Sequence, residues 1–442
     1  MASFSFSFSG DDIEDDGAIG TTQDAAGPSS SSALSVQGLQ ALSIQGASLV
    51  TPTSSAAPAA TAFPVPHKPQ LPPQCHDLQG MLSKLPSKIA FSLLDVVLDV
   101  RAESSAPIGA NGGTSAAREE PCLIRLPRRE LWDVKVQLMA EEEAEDDESG
   151  NAQELAPGLG EHDVKTGIYE GGFKSWESSV DLVKVLLQPP ASVSTPEPAL
   201  SAVAGAVLSQ DGPAHVIELG CGTALPSLAL FHWACATAPS AASTTPFRRS
   251  HQLSITVADY NPSVLYLVTL PNFLLTWALQ QRDANPLVQQ ALSFEDADGS
   301  GNVSGELELT DEVKDAFCAF LTSARVTLSF LSGGWSAAFV DLLYGLSTAD
   351  AGPPPHTLVL GAETIYSPFA LESFSVLLLT ILQRETGTST RAMAVVGAKK
   401  LYFGVGGSLD DFVQRMREAG VVVNELREEA DGVRRGVVQC LL

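Results

Sequence analysis

The sequence predicts an α/β fold, in which a mostly parallel β-sheet is covered by crossover helices and closed by a C-terminal antiparallel hairpin. Three observations predict this fold. Short apolar segments alternate with helical segments from His215 onwards, the pattern of parallel strands joined by helices. A glycine-rich turn follows the first of these strands. The chain ends in two extended segments around a turn at residues 430–432.

The individual elements follow from the spacing of apolar residues. Strands are predicted at HVIEL (215–219), SITVADY (254–260), ARVTLSFLS (324–332), HTLVLGAE (356–363) and RAMAVVGAKK (391–400). Helices are predicted at residues 179–187, 225–234, 261–270, 370–384 and 410–420. The strand segments are short and apolar, whereas the last helix separates polar from apolar residues at helical spacing.

Composition divides the chain into three parts. Residues 1–80 are rich in Ser, Ala and Pro and are predicted to be a disordered tail with a short Phe-rich, acidic start. Residues 81–164 are predicted to cap the main domain and contain an acidic run. Residues 165–442 form the main domain. It carries loop insertions near 238–252, 280–316 and 347–355, which add little closure entropy.

The formal net charge of −26 bears on the choice of partner. Part of it comes from two runs of like charge, DDIEDD at 11–16 and EEEAEDDE at 141–148. Nucleic acids and anionic membranes are normally bound through Lys and Arg, so we expect neither direct nucleic-acid binding nor membrane binding. A basic protein partner is expected instead. The alternative is that the acidic runs only keep the chain soluble.

Cysteine and apolar patterns indicate the compartment. The six cysteines show no paired-ligand spacing, so no zinc site and no disulfide framework are expected, and a reducing compartment follows. The N-terminus has acids where a signal peptide has bases. The uncharged segment 263–279 is interrupted by Pro271 and is predicted to be a buried helix rather than a membrane span.

One segment resembles a calcium-binding loop. DADGSGNVSGEL at 296–307 places Asp296, Asp298 and Ser300 at the first ligand positions of such a loop. Its twelfth position is Leu307, where the geometry requires a bidentate glutamate. A solvated loop is therefore favoured, and no metal site is expected.

The glycine-rich turn and the end of the second strand predict a nucleoside-binding site. Gly220 and Gly222 let the backbone bend sharply before a helix N-terminus, while Leu225 stands where dinucleotide sites have a third glycine. That departure favours a ligand without a pyrophosphate, such as S-adenosylmethionine. Asp259 ends the next strand and is predicted to accept from the ribose hydroxyls; the alternative is an N-cap of the following helix.

The later strand ends add three candidate residues. Trp335 in SGGWS is predicted to cover the adenine ring, with a core position as the alternative. Glu363 and Tyr366 in AETIYSP present a carboxylate and a phenol beside the methyl-transfer site. This segment lacks the Asn/Asp-Pro-Pro-aromatic stretch expected of methyltransferases that act on nucleic-acid bases, which argues against that class.

With these motifs the sequence resembles the histidine protein methyltransferases. GIYEGGFKSWESSVDLVKVL, ELGCGTALP, ADYNPSVLYLVTLPN, SGGWS, AETIYSP and KKLYFGVGG follow the order of closely similar segments in that family. The resemblance covers roughly residues 165–442 apart from the insertions, and FSFSFSGDDIEDD also looks like the family's N-terminus. It implies the Rossmann-like, seven-stranded fold of class I methyltransferases and S-adenosylmethionine as cofactor.

The resemblance also implies an activity and a site. The activity is methyl transfer to the tele nitrogen of one histidine in a large-subunit ribosomal protein, in the cytoplasm and nucleus, with the nucleolus as a further candidate. The cofactor-binding residues it implies, with their neighbours in the same motifs, are Ser175, Trp176, Glu177, Ser178, Ser179, Gly220, Gly222, Ala258, Asp259, Tyr260, Gly333, Gly334, Trp335 and Ala362. Two of them depart from the family pattern, because Gly334 replaces an acid and Ala362 a serine.

The segment before the first long helix is predicted to be a lid. Gly171 and Gly172 would let the chain cross the open end of the sheet. Trp176 is then expected beside the sulfonium, and Glu177 is expected to face the amino group of the cofactor. Structural packing of Trp176 is the alternative.

Transfer to imidazole requires alignment more than a strong base. The unperturbed pKa of histidine, about 6.5, leaves most of it neutral and able to attack at cellular pH. We expect the Glu363 carboxylate to fix the tautomer and stabilise the developing imidazolium, with Tyr366 as a positioning donor. The alternatives are a lysine methyltransferase of the same fold and a non-catalytic acidic adaptor or chaperone for a ribosomal protein. We expect a monomer.

Overall fold

The structure is a computed structural model of the chain. It describes residues 71–99, 122–145, 171–189, 198–210, 212–238, 251–296, 303–346, 355–386, 391–402, 406–430 and 432–442. The chain divides into Met1–Ala59, none of which is described, and Ala60–Leu442, the unit described below. The predicted features wholly or partly outside the described residues are the Phe-rich start, the acidic run at 11–16, residues 146–148 of the second acidic run, residues 167–170 of the GIYEGG motif, residues 403–405 of KKLYFGVGG, most of the insertions near 238–252 and 347–355, and residues 297–302 of the calcium-loop-like segment.

A mixed sheet forms the centre of the described unit, with the strand order β1-β10-β7-β6-β11-β12-β14-β13. Its strands are β1 (Gln74–His76), β6 (Ala214–Leu219), β7 (Leu253–Asp259), β10 (Val326–Ser332), β11 (His356–Ala362), β12 (Ala392–Lys399), β13 (Val422–Glu429) and β14 (Arg435–Leu441). Two short strands outside this sheet, β4 (Leu187–Gln188) and β5 (Ala199–Leu200), pair with each other. Strands β10, β7, β6, β11 and β12 are parallel, and β14 runs antiparallel between β12 and β13. Strand order and directions are those of the class I methyltransferase fold, so the predicted fold class is confirmed.

The helices follow from the apolar pattern of the connecting segments. They are α1 (Leu78–Leu82), α2 (Leu131–Glu145), α3 (Glu177–Leu186), α4 (Ala202–Leu208), α5 (Leu225–Ala236), α6 (Pro262–Val264), α7 (Leu270–Gln281), α8 (Pro286–Ala291), α9 (Asp311–Ser323), α10 (Ala337–Gly345), α11 (Pro368–Thr386) and α12 (Leu409–Glu418). Alternate strand residues face two hydrophobic clusters. Val216 and Leu358 pack with the cluster that includes α3, α5 and α7, while Ile217 and Val359 pack with the one that includes α11 and α12.

The insertion predicted as a loop at residues 280–316 is largely regular structure. It contains α8 and a hairpin of β8 (Leu292–Asp296) and β9 (Val303–Glu308). Strand β9 pairs with β2 (Lys88–Val97), which pairs in turn with β3 (Leu123–Arg129), so a second, antiparallel sheet joins the insertion to the N-terminal capping segment. The loop prediction is therefore wrong. Position 305 in this hairpin requires glycine, because a Cβ there would lie 2.3 Å from the Ser293 carbonyl oxygen.

The end of the predicted disordered tail is also ordered. Strand β1 pairs antiparallel with β10 at the edge of the central sheet, and α1 follows it with Asp77 as its N-cap. The prediction of a tail reaching residue 80 is wrong for residues 71–80. The strand QCH is polar, and it is held by backbone pairing that composition does not reveal. The remaining domain division stays a prediction.

One helical stretch in the described residues, Pro262–Gln281, is long and apolar enough to cross a membrane by length and composition alone. It consists of α6, a π-helical turn at Leu265–Thr269, and α7. Phe273 and Trp277 on α7 are fully buried, as most of the stretch is. The stretch is a core helix, as predicted.

Candidate active site

The glycine-rich turn after β6 lies where the carboxyl ends of the central strands meet. Gly220 and Gly222 have positive φ angles of 65° and 49°, which favour glycine. A Cβ on Gly220 would lie 2.8 Å from Thr364 Cγ2, and one on Gly222 would lie 3.1 Å from the carbonyl oxygen of Gly172. The turn is therefore packed on two sides, and any side chain at these positions would push its neighbours away.

Two buried polar residues of the apolar helical stretch support this turn. The Thr269 hydroxyl donates to the Gly222 carbonyl oxygen at 2.7 Å, and the Asn272 amide donates to the Thr223 carbonyl oxygen at 3.1 Å. Both side chains are buried. Sequence reasoning missed them, although polar residues inside an otherwise apolar helix are a usable signal. The Ser175 and Thr223 hydroxyls, 2.8 Å apart, link the turn to the predicted lid.

Asp259, at the end of β7, is the central hydrogen-bond acceptor on the side predicted to hold adenosine, called the adenosine side below. Its side chain is only 7% exposed. Oδ2 accepts from the Gly222 N–H at 3.0 Å and Oδ1 from the Asn261 N–H at 2.9 Å. The N-cap of α6 is Asn261, without a side-chain cap bond, so the alternative of Asp259 as helix cap is wrong. Its ribose role stays a prediction.

The predicted lid crosses the adenosine side. Asn261 donates its amide to the Gly171 carbonyl oxygen at 3.0 Å. A Cβ on Gly172 would lie 3.0 Å from Val264 and 3.4 Å from Asp259 Oδ2. The next residue, Phe173, is buried in a cluster with Val134 and Val264. The glycine pair therefore brings the chain directly over the glycine turn and Asp259. The function of this segment as a lid remains a prediction.

The start of α3 places its polar residues differently from the prediction. The Arg435 guanidinium donates to Glu177 Oε2 at 2.9 Å and to Asp181 Oδ2 at 2.7 Å. This ion pair directs a carboxylate oxygen of Glu177 to β14, so the expectation that it faces the amino group of the cofactor is not supported. The Ser179 hydroxyl donates to the Trp176 carbonyl oxygen within the first turn.

Glu363, directly after β11, is the central hydrogen-bond acceptor on the side predicted to face the methyl acceptor, called the acceptor side below. Its carboxyl accepts from the Ser178 hydroxyl through Oε1 and from the Tyr402 hydroxyl through Oε2. Its φ of 56° is uncommon for a residue with a side chain and costs on the order of 1–3 kcal/mol. Burial raises the pKa of this carboxyl, while Lys399 and the Ser178 and Tyr402 hydroxyls oppose the rise.

A second tyrosine, Tyr402, lies at Glu363 in addition to the predicted Tyr366. The phenol that donates to Glu363 belongs to Tyr402, which is 5% exposed, and Tyr366 packs against the second hydrophobic cluster. Burial and the neighbouring Glu363 raise the pKa of Tyr402 well above its usual value, so it stays a donor. The donor that the structure assigns to Glu363 is therefore Tyr402, and the role of Tyr366 as a positioning donor stays a prediction. Tyr402 sits in the family-like segment KKLYFGVGG, where no role was assigned to it.

A cation lies between the lid and the acceptor side. The Lys399 ammonium is 5.1 Å from the ring centroid of Trp176 and 5.6 Å from that of Tyr402. Lys399 ends β12, beside the Arg435 position of β14. Trp176 is therefore in contact with a charged group and is only partly buried, and its place beside the sulfonium stays a prediction.

The remaining predicted residues lie in or beside the core. Trp335 is 8% exposed and packs against Phe374 at 5.6 Å between ring centroids, which favours its alternative as a core residue. Ala258 is buried, and its carbonyl oxygen accepts from the Cys221 N–H. Ala362 ends β11 opposite Gly397. The Gly333 N–H donates to the carbonyl oxygens of Asp259 and Tyr260.

The donor set fits S-adenosylmethionine. The turn exposes backbone at Gly220 and Gly222, Asp259 supplies paired acceptor oxygens at the next strand end, and Trp176 supplies an aromatic face that already carries a cation. Among the described residues, no group of three or more His, Cys, Asp or Glu side chains could hold a metal ion.

Comparisons with known proteins agree with these motifs. Histidine protein methyltransferase 1 of Saccharomyces cerevisiae is 34% identical over 287 residues, which cover 65% of this chain and 67% of that protein. Histidine protein methyltransferase 1 of Schizosaccharomyces pombe is 30% identical over 293 residues, covering 66% of this chain and 68% of that protein.

Solved structures add little to this. The rRNA methyltransferase aviRa of Streptomyces viridochromogenes is 17% identical, covers 62% of this chain and 95% of its own, and has a TM-score of 0.26. That likeness is too low to carry an argument, so the fold assignment rests on the strand order above. No protein-family model matches the chain.

Proposed function

This chain belongs to the histidine protein methyltransferase family, and from that premise we propose that it methylates the tele nitrogen of a histidine in a basic protein of the large ribosomal subunit. Membership confirms the predicted family and the class of S-adenosylmethionine-dependent methyltransferases. The nitrogen, the substrate protein and the residue roles are the proposed part.

When bound, S-adenosylmethionine supplies an electrophilic methyl group on a sulfonium. Asp259 and the turn at Gly220 and Gly222 would hold its adenosine and amino-acid portions, and Trp176 would lie against its charge. The chain's own residues then orient the acceptor imidazole.

The carboxyl of Glu363 is the observation that carries the proposal. It is partly buried at the carboxyl end of β11, and the hydroxyls of Ser178 and Tyr402 fix both of its oxygens. A carboxylate in this position can accept the N–H of the far imidazole nitrogen, which leaves the near nitrogen unprotonated and able to attack. As positive charge moves onto the imidazole, the same carboxylate stabilises it and receives the released proton.

The net charge of −26 supports a basic substrate protein, because opposite charges raise the rate of encounter. Such an enzyme would meet newly made ribosomal proteins in the cytoplasm and nucleus. We propose that it acts there as a monomer.

The test is methyl transfer from labelled S-adenosylmethionine into large-subunit ribosomal proteins prepared from cells that lack this chain. The labelled protein is digested, and the modified residue is identified by mass spectrometry against tele- and pros-methylhistidine standards. Tele-methylhistidine at one site supports the proposal. Methyl-lysine, or the absence of transfer with intact cofactor binding, contradicts it.

A further inference from the structure

A short segment far upstream of the family motifs contacts the adenosine side of the site. The Gly334 N–H donates to the Leu71 carbonyl oxygen at 2.9 Å, and the Leu71 N–H donates to the Tyr260 hydroxyl at 3.3 Å. Both partners were predicted to bind the cofactor. Residues 71–73 are therefore joined to the loops that follow β7 and β10.

The contact with the loop after β10 leaves no room for a side chain, so position 333 requires glycine. Gly333 has a φ of 100°, and a Cβ there would lie 2.4 Å from the Pro72 carbonyl oxygen and 2.8 Å from Pro73 Cα. Strand β1 continues the contact, since Gln74, Cys75 and His76 pair with Ser332, Leu331 and Phe330 of β10. The side chain of His76 adds a hydrogen bond of 2.7 Å to the Ser332 hydroxyl. Residues 71–73 are thus held in place by β1, which follows them directly in the chain and pairs with β10.

The position of these loops gives the segment a role. In sheets of this kind a ligand lies across the carboxyl ends of the strands, at the point where the strand order reverses, which here falls between β6 and β11. With the ribose at Asp259 on β7, the base must extend away from the reversal point, towards the neighbouring β10. Tyr260 and residues 333–334 border that space.

We propose that residues 71–73 are a cofactor-positioning segment, which holds the Tyr260 phenol and the loop at 333–334 in the arrangement that binds adenosine. Gly334 has no side chain, so this loop supplies no carboxylate at that position. Its conformation depends on the backbone of the segment instead. The inference rests on the cofactor of the proposed function and is independent of the acceptor.

The first test separates the backbone of Leu71 from its side chain. Leu71→Pro removes the N–H that Tyr260 accepts and leaves the carbonyl oxygen in place, whereas Leu71→Ala keeps both backbone groups. Calorimetric titration of S-adenosylhomocysteine is expected to show roughly fivefold weaker binding for Leu71→Pro, the loss typical of one hydrogen bond, and wild-type binding for Leu71→Ala. Tyr260→Phe removes the same bond from the other side. The double variant Leu71→Pro/Tyr260→Phe should therefore bind no more weakly than Tyr260→Phe alone.

The second test displaces the segment. Gly333→Ala should weaken S-adenosylhomocysteine binding about tenfold or more, because a shift of about 1 Å at a binding loop has effects of that size. Gly420→Ala is the matched control: Gly420 has a φ of 86°, but an added Cβ there meets no atom within 4 Å. Both variants carry the same backbone strain, so both should lower the melting temperature, and only Gly333→Ala should lower affinity.

Unchanged or tighter binding in both Leu71→Pro and Gly333→Ala overturns the inference, and tighter binding would make the segment an inhibitor of cofactor entry. These outcomes are separate from the fate of the proposed function. If cofactor binding depends on residues 71–73 but the product is methyl-lysine, the role of the segment stands and the histidine assignment falls.

Discussion

The two ends of the candidate active site are held together by different kinds of contact. At the adenosine end, backbone packs on backbone, since Gly172 lies on Gly222 and Gly333 lies on Pro72, and one carboxylate, that of Asp259, accepts from the Gly222 N–H. At the acceptor end, side chains meet in partial or full burial, with Glu363 held by Ser178 and Tyr402. Steric fit should matter most for cofactor binding at the adenosine end, and the charge of Glu363 should matter most for methyl transfer at the acceptor end. Substitutions should therefore affect cofactor binding at one end and the rate of transfer at the other.

The largest effect is expected at Glu363. Glu363→Gln keeps the shape of the side chain but removes its charge, and should lower the rate of methyl transfer about 10²- to 10³-fold, the size of effect typical of a lost electrostatic contact in a transition state. Binding of S-adenosylhomocysteine should stay within about twofold. Single-turnover transfer and calorimetry measure the two quantities.

A matched control lies outside the candidate active site, on α11. Glu385 is also buried and accepts the Tyr344 hydroxyl at 2.8 Å. Glu385→Gln removes a comparable carboxylate outside the site and should leave the transfer rate unchanged. Equal losses of transfer in the two variants would mean that Glu363 acts only through stability.

Substitution of Tyr402 should change the pH dependence of methyl transfer. Burial raises the pKa of Glu363, and the Tyr402 hydroxyl opposes that rise by stabilising the carboxylate. Transfer needs the ionised form, so activity is lost as the pH falls through the pKa of Glu363. Tyr402→Phe should raise this pKa further, move the acid limb of kcat to higher pH, and lower the rate roughly tenfold near neutrality.

Tyr344→Phe is the corresponding control, since Tyr344 donates to Glu385 in the same way. It should leave the acid limb where it is in the wild type. If Tyr402→Phe also leaves the limb unmoved, Tyr402 is not the positioning residue for the carboxylate.

At the adenosine end, Asp259→Asn should weaken binding rather than transfer. The amide retains one acceptor oxygen but loses the charge that pairs with the Gly222 and Asn261 N–H groups. S-adenosylhomocysteine should bind about tenfold more weakly, and single-turnover transfer at saturating cofactor should stay within about threefold. Intact affinity would remove Asp259 from the cofactor site.

The smallest effect is expected at Trp176, which lies between the two ends. Trp176→Ala removes the aromatic face on which Lys399 now rests. Loss of one cation–π contact corresponds to a twofold to fivefold weaker cofactor affinity, about 0.5–1 kcal/mol. The prediction fails if thermal stability falls while the affinity measured by calorimetry is intact.

The same contrast explains what could be predicted from the sequence. Glu363 and Asp259 were found because an acid directly after an apolar strand must lie at the carboxyl edge of a parallel sheet. Tyr402 could not be placed, since it follows β12 in a segment whose fold depends on contacts with residues distant in the chain. Residues 71–73 and the hairpin of β8 and β9 were missed for a related reason. Their pairing uses backbone groups, which every residue carries and no composition records.

The separation of the two ends is tested most directly by one paired measurement on Asp259→Asn and Glu363→Gln. For each variant, S-adenosylhomocysteine affinity by calorimetry and single-turnover methyl transfer at saturating cofactor are compared with the wild type. Opposite patterns are expected: Asp259→Asn loses affinity and keeps transfer, and Glu363→Gln keeps affinity and loses transfer. Parallel losses of both quantities in both variants would contradict this separation.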